Sequence, residues 1–256
     1  MRPAWGTGLA GALLLAWPPG LQAQTFDSVT AACRTRPTGC AGGAGDAALV
    51  PQGTRLAEAG VRLGTIAAAL EKAERVRLER ALTECADQAR SEVLERHLEG
   101  RSPTAAECQE KGLFGGRHRT RAMYLGEEMH RVALACAAAV LSALRPGGFS
   151  VEPRYRYEPR TKQWECMSAE TETMLLEEGC YGELKGTLKP DIVIHSGHPL
   201  RALAVYDFKV PCFRLEPGNW CRYSSGPHQG LTQDWVYEKA LHVQPFKILP
   251  RVGVMP

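Results

Sequence analysis

Apolar residues recur along this chain in two rhythms, one helical and one extended, and their order already suggests an architecture. From Gln52 to Glu99, Leu63, Ile66, Leu70, Ala73, Leu82, Cys85, Ala89 and Val93 return at three- and four-residue steps with Arg and Glu between them. That spacing predicts one amphipathic helix or a pair, stopped by Gly100 and Pro103. Tyr124 to Leu144 repeats the rhythm, with Leu125, Met129, Val132, Ala133, Cys136, Val140 and Leu144 on one face. Pro146 and two glycines break it, and Phe149 to Glu158 alternates as a strand does. Residues 160–186 read as a long insertion with several acids and two cysteines. Leu188–His195 and Leu200–Val210 are apolar, β-branched runs joined by Ser196, Gly197, His198 and Pro199, the composition of a hairpin turn. A helix is expected from about Gly230 to His242, and a final strand from Phe246 to Val254.

The hairpin carries the candidate chemistry. A turn centred near Pro199 sets Asp191 directly across from Asp207, with Cβ atoms about 4.5–5.5 Å apart. Lys209 lies two residues beyond Asp207, so the period of a strand puts it on the same face. Two carboxylates at that distance repel unless a cation lies between them. A hard divalent ion with oxygen ligands, Mg²⁺ or Mn²⁺, resolves the conflict. It would polarise a phosphate and acidify a bound water that Lys209 is placed to orient or help deprotonate.

Pro190-Asp191 followed by Asp207-Phe208-Lys209 resembles the Pro-Asp…(Asp/Glu)-x-Lys signature of the PD-(D/E)xK nucleases. The element order from residue 120 onwards (helix, three strands, helix, strand) is similar to that restriction-endonuclease-like α/β core, here preceded by an α-helical extension. Gln233-Asp-Trp-Val-Tyr237 looks like the Gln-xxx-Tyr element of RecB-type members, and residues four apart share a helix face. The resemblance implies Asp191, Asp207 and Glu128 as metal ligands, Lys209 as the residue serving the attacking water, and Gln233 and Tyr237 as positioning groups. Glu128 borders the apolar stripe of its helix, whereas Glu127 lies nearly opposite it, where a carboxylate favours a helix N-terminus. The implied substrate is nucleic acid, DNA in the first instance. The bacterial polymorphic-toxin nuclease domains are the branch that an exported member resembles, and a toxin of that kind implies an immunity protein as partner.

Composition adds boundaries more than chemistry. Met1-Arg2, the apolar run Gly8–Trp17 and a small residue at Ala23 describe a secretory signal peptide over 1–23, so the expected location is secreted or periplasmic. No later run is long and apolar enough for stable membrane insertion. Residues 24–50 read as a poorly ordered lead-in, 51–115 as the helical extension and 116–256 as the nuclease-like domain. With 31 Lys and Arg against 28 Asp and Glu, charge neither demands nor excludes nucleic acid. The basic cluster Arg117–Arg121 reads equally as a phosphate contact or a solvated loop. Nine cysteines in an exported chain imply disulfides, with Cys33–Cys40, Cys166–Cys180 and Cys212–Cys221 as sequence-local candidates and Cys136 as a buried thiol. No Ser or Cys nucleophile motif and no phosphate-binding Gly loop is present. The alternative to an enzyme is an exported, disulfide-containing binding protein with a degenerate nuclease fold.

Overall fold

The computed structural model describes residues 70–214 and 219–256. The expected signal peptide, the lead-in, the first part of the helical extension and the pair Cys33–Cys40 lie outside the described residues. Helix α1 (Lys72–Leu98) is followed by the short α2 (Ala105–Gln109), a hairpin of β1 (Lys111–Phe114) and β2 (Arg117–Thr120), and helix α3 (Arg121–Leu144). Strands β3 (Phe149–Val151), β4 (Arg154–Glu158) and β5 (Gln163–Met167) come next, then α4 (Ala169–Glu177) and a 3₁₀ turn at Tyr181–Leu184. The chain ends with β6 (Ile192–His195), β7 (Ala202–Phe208), α5 (Gln233–Leu241), β8 (Pro245–Leu249) and β9 (Gly253–Met255). This is a mixed α/β fold. Its five-stranded sheet runs β3-β6-β7-β8-β9, antiparallel throughout except for the parallel pair β7–β8. Among the described residues no helix is long and apolar enough to cross a membrane.

The period of two along β6 and β7 gives the sheet two apolar faces. Ile192, Ile194, Ala204, Tyr206 and Phe208 join Ile248 in one core with α1 and α3. Val193 and Val205 point the other way, into a second core with Tyr155, Leu188 and the α5 residues Val236, Tyr237, Ala240 and Leu241. Asp207 shares the parity of Val205, so its carboxylate belongs to the α5 side. The α1–α3 contact is built on Ala86, Ala89, Ala133 and Ala137, whose small side chains let the helix axes approach. Thus α1 is a platform within the core beneath the sheet. Thr120 caps α3 by accepting from the Met123 N–H, and α1 stops where Glu99 enters the left-handed region at φ 52°.

Three expectations change. The alternating run 149–158 is two strands: at Glu152 the backbone turns to φ 48°, so β3 pairs with β6 while β4 leaves to pair with β5. The expected last strand is likewise β8 and β9, reversed by a turn containing Arg251 at φ 63°. The disulfides are Cys85–Cys136 and Cys108–Cys212. Cys136 is therefore not a thiol, Cys212 does not pair with Cys221, and Cys166 is a free thiol that does not pair with Cys180. The reason is tertiary: α1 lies against α3, and α2 lies near the chain leaving β7, so residues far apart in sequence become neighbours.

The insertion is anchored electrostatically. Arg154, almost fully buried, donates to Glu172 Oε1 at 2.8 Å and to Thr187 Oγ1 at 2.7 Å, and Lys189 lies 3.6 Å from the same carboxylate. Burial pushes the Glu172 carboxyl up, but Arg154 and Lys189 outweigh it and hold it below its ordinary value. A carboxyl depressed on folding contributes stability above its unfolded value, about 4.3, and that contribution fades as pH falls through the folded value. Glu172→Gln should therefore cost about 2 kcal/mol at neutral pH and less with each step of acidification below pH ~4. Urea unfolding as a function of pH reads this directly; parallel curves for the two proteins would rule it out.

Candidate functional site

The pairing of β6 with β7 has the register a turn near Pro199 requires: Ile192 opposes Tyr206, Val193 opposes Val205 and Ile194 opposes Ala204, with a bulge only at His195. Asp191 stands one residue before β6, and Asp207 is the penultimate residue of β7. The Asp191 N–H donates to Asp207 Oδ1 at 3.4 Å, and the Phe208 N–H donates to Asp191 Oδ2 at 2.6 Å. Both side chains are buried, 4% and 2% exposed. Two carboxylates at that depth are costly unless each finds compensating partners.

Each does. His130 Nε2, from α3, lies 2.9 Å from Asp191 Oδ1. Burial alone would raise the Asp191 carboxyl, but His130, Lys209 and the Phe208 N–H together hold it below the usual carboxylate range. Asp207 Oδ2 is paired with the Lys209 ammonium and accepts from Gln233 Nε2 at 3.2 Å. Lys209 also donates to Gln233 Oε1 at 2.9 Å, so one amide holds both members of the ion pair. Gln233 Nε2 donates in addition to the Tyr237 hydroxyl at 2.8 Å, one turn further along α5. Burial first, and the neighbouring Asp207 charge second, push the Tyr237 phenol well above its ordinary value, so it stays neutral.

Of the residues expected at the site, Asp191, Asp207, Lys209, Gln233 and Tyr237 are brought into this one network. Glu128 is not. Its carboxylate accepts from Arg131 at 3.0 Å and lies 3.5 Å from Arg96 on α1. Glu127 pairs with Arg119 and Arg117 at the β1–β2 hairpin. The residue that α3 does send to the aspartates is His130. On a helical wheel Glu128 and His130 lie about 100° to either side of the apolar stripe. One margin faces α1 and the other faces the hairpin, and periodicity alone does not say which.

A second residue absent from the sequence reading is Lys247. In the parallel ladder it is the direct partner of Asp207, and it is only 7% exposed. Its ammonium lies 5.4 Å from the centroid of the Trp220 indole, and the Lys209 ammonium lies 5.3 Å from the same ring. Nothing local marks Lys247, because its neighbourhood depends on the crossover through α5. The site thus gathers at the end of β7 towards which both parallel strands run, a usual place for ligands in sheets of this kind.

Asp191 and Asp207 are the residues that could hold a hard cation. Among the described residues no group of three His, Cys, Asp or Glu side chains is arranged for a metal. An all-protein cage of the zinc type is therefore not what these residues offer. Their carboxylate oxygens are hard donors of the type Mg²⁺ takes, an ion that dehydrates reluctantly and uses few protein ligands. No protein-family model matches the chain, and no curated protein and no solved structure matches it significantly.

Proposed function

We propose that this chain is a Mg²⁺-dependent nuclease with a restriction-endonuclease-like core, hydrolysing phosphodiester bonds of DNA. One observation carries the reading: Asp191, Asp207, Lys209, Gln233 and Tyr237, drawn from three separate elements, form one continuous hydrogen-bonded network. A hairpin whose charges were merely solvated would not bury both carboxylates and spend a glutamine and a tyrosine on orienting them. The sheet order supports the same reading, since α3 precedes the antiparallel hairpin and α5 links β7 to a parallel β8.

Asp191 and Asp207 would hold the ion, which when bound would polarise the scissile phosphate and offset charge on the leaving oxygen. Lys209, 28% exposed on its side chain, is the polar group of the network that reaches furthest towards solvent, where an attacking water would be oriented. Gln233 fixes the Lys209 ammonium, and Tyr237 fixes the Gln233 amide against rotation. His130 steadies Asp191 in its ionised form. Glu128 has no part in this reading. An exported enzyme of this type would act on DNA outside the producing cell as an antibacterial effector, with an immunity protein guarding the producer; that step rests on the expected signal peptide and on analogy.

Plasmid DNA incubated with purified residues 24–256 should be nicked or linearised in Mg²⁺ or Mn²⁺ and left intact in EDTA. A folded protein that cleaves neither DNA nor RNA with either ion would move the assignment to a binding protein.

A further inference from the structure

We propose that the cavity between the β1–β2 hairpin and α3 is a subsite for a backbone phosphate of the substrate strand, with Lys111 and His118 as its donors and the bare helix face at Gly126 as the passage from it to the aspartates. The proposal rests on the nuclease reading and extends it along the strand that is cut. The cavity has a volume of about 470 Å³ and is lined by Lys111, Gly112, His118, Arg119, Thr120 and Met123. The two strands hold their part of the lining in register, Lys111 opposite Thr120 and Gly112 opposite Arg119. No Asp or Glu lines it. The nearby carboxylates are engaged by other groups, Glu127 by Arg119 and Arg117 and Glu110 by Arg121. Lys111 and His118 are exposed, and their side chains make no hydrogen bond or ion pair with another described residue. A cationic cavity whose donors are uncommitted is suited to an anion, and a phosphate oxygen accepts from an ammonium in a strong, charge-assisted bond.

Position along α3 ties the cavity to the carboxylates. Met123 at the cavity and His130 at Asp191 are seven residues apart, so they share a helix face about 10.5 Å apart along the axis. One strand of a nucleic acid rises about 3.4 Å per nucleotide, so this interval corresponds to about three nucleotides. Gly126 lies between them on the same face, and a Cβ built there meets nothing within 4 Å. Glycine weakens a helix interior relative to alanine, so helix stability does not account for it. A residue without a side chain does let another backbone approach closely. Glu127 borders the same face, and its charge is offset by Arg119 and Arg117. A strand with its scissile phosphate at Asp191 and Asp207 passes over Gly126 and presents a flanking phosphate to Lys111 and His118.

The test is DNA affinity as a function of salt, read apart from cleavage. A fluorescein-labelled DNA duplex is titrated in EDTA with residues 24–256 as wild type, Lys111→Gln, Lys111→Arg and Gly126→Leu, and the KM for cleaving the same duplex is measured in Mg²⁺. Lys111→Gln should bind about tenfold more weakly and lose about one unit of the slope of log K against log [NaCl], because one phosphate contact is gone. Adding His118→Gln should weaken it further, and Lys111→Arg should keep the slope. Gly126→Leu should melt no lower than wild type, since the space is open and leucine is the better helix former, yet bind at least about tenfold more weakly. A glycine with only a structural role would not lose binding while keeping stability. Inorganic phosphate, compared with chloride at equal ionic strength, should not displace the duplex; displacement would assign the cavity to a free phosphate and overturn the backbone assignment. Should Gly126→Leu fail to fold, the Lys111 variants decide alone, and wild-type affinity and slope in Lys111→Gln overturn the proposal. A wild-type protein that cleaves DNA while Lys111→Gln and Gly126→Leu keep its affinity, slope and KM overturns this inference and leaves the nuclease reading standing. A wild-type protein that binds DNA through Lys111 but never cleaves it supports the phosphate site and overturns the nuclease reading. One that neither binds nor cleaves DNA overturns both.

Discussion

Lys209→Ala and Asp207→Asn are each expected to lower Mg²⁺-dependent cleavage by at least about 10³-fold, the scale on which a positioned proton-transfer or electrostatic group contributes. The two variants should differ in what else they change. Asp207→Asn keeps the side-chain shape and removes one of two adjacent buried negative charges, yet breaks the Asp207–Lys209 ion pair. Its melting temperature should stay within a few degrees of wild type, and its calorimetric Mg²⁺ affinity should collapse, because half the carboxylate pair is gone. Lys209→Ala should retain Mg²⁺ binding while losing cleavage, since Asp191 and Asp207 remain. Gln233→Ala should fall between them: it takes one hydrogen-bond acceptor from the ammonium without removing the ammonium. If Lys209→Ala still cuts plasmid at a rate near wild type, Lys209 is not the residue that serves the water, and the network is structural.

The extent to which this site could be read from sequence depends on the range of the interaction. Asp191 and Asp207 were legible because a hairpin is local: Pro199 fixes a register, and the observed pairing of Ile192 with Tyr206 is the one that register requires. Gln233 and Tyr237 were legible for the same reason, being one turn apart on a helix. His130 was hidden because a helical stripe has two margins, and only the packing of α1 on one of them leaves the other for the hairpin. Lys247 was hidden because parallel pairing through α5 joins residues forty positions apart. The split of 149–158 turned on a single left-handed residue, Glu152, which carries none of the Gly or Asn signal that marks such a position. The mixed α/β architecture followed from rhythm alone; the second sheet-face core, with Tyr155 and Leu188 beneath α5, did not.

The two disulfides should be worth more than any single core contact, and they should separate stability from activity. Cys85–Cys136 spans 51 residues of sequence and Cys108–Cys212 spans 104. Chain-entropy arguments give about 4 and about 4.7 kcal/mol respectively. The loops overlap, so the sum is an upper bound, but even half of it rivals the whole margin of a typical domain, about 5–15 kcal/mol. A protein treated with a strong reductant should therefore unfold at a much lower urea concentration than the oxidised form. The paired Ser variants then diverge. Loss of Cys85–Cys136 frees α1 from α3 at a distance from the aspartates, so kcat should hold at any temperature where the variant remains folded. Loss of Cys108–Cys212 frees the chain three residues after Lys209, the segment that leads towards Trp220. That variant should lose cleavage beyond what its reduced stability explains, with KM and kcat both affected. Equal kinetics for the two folded variants would show that the second disulfide is only a staple. Both bonds form and persist in an oxidising compartment, which is where the expected export signal would deliver the chain.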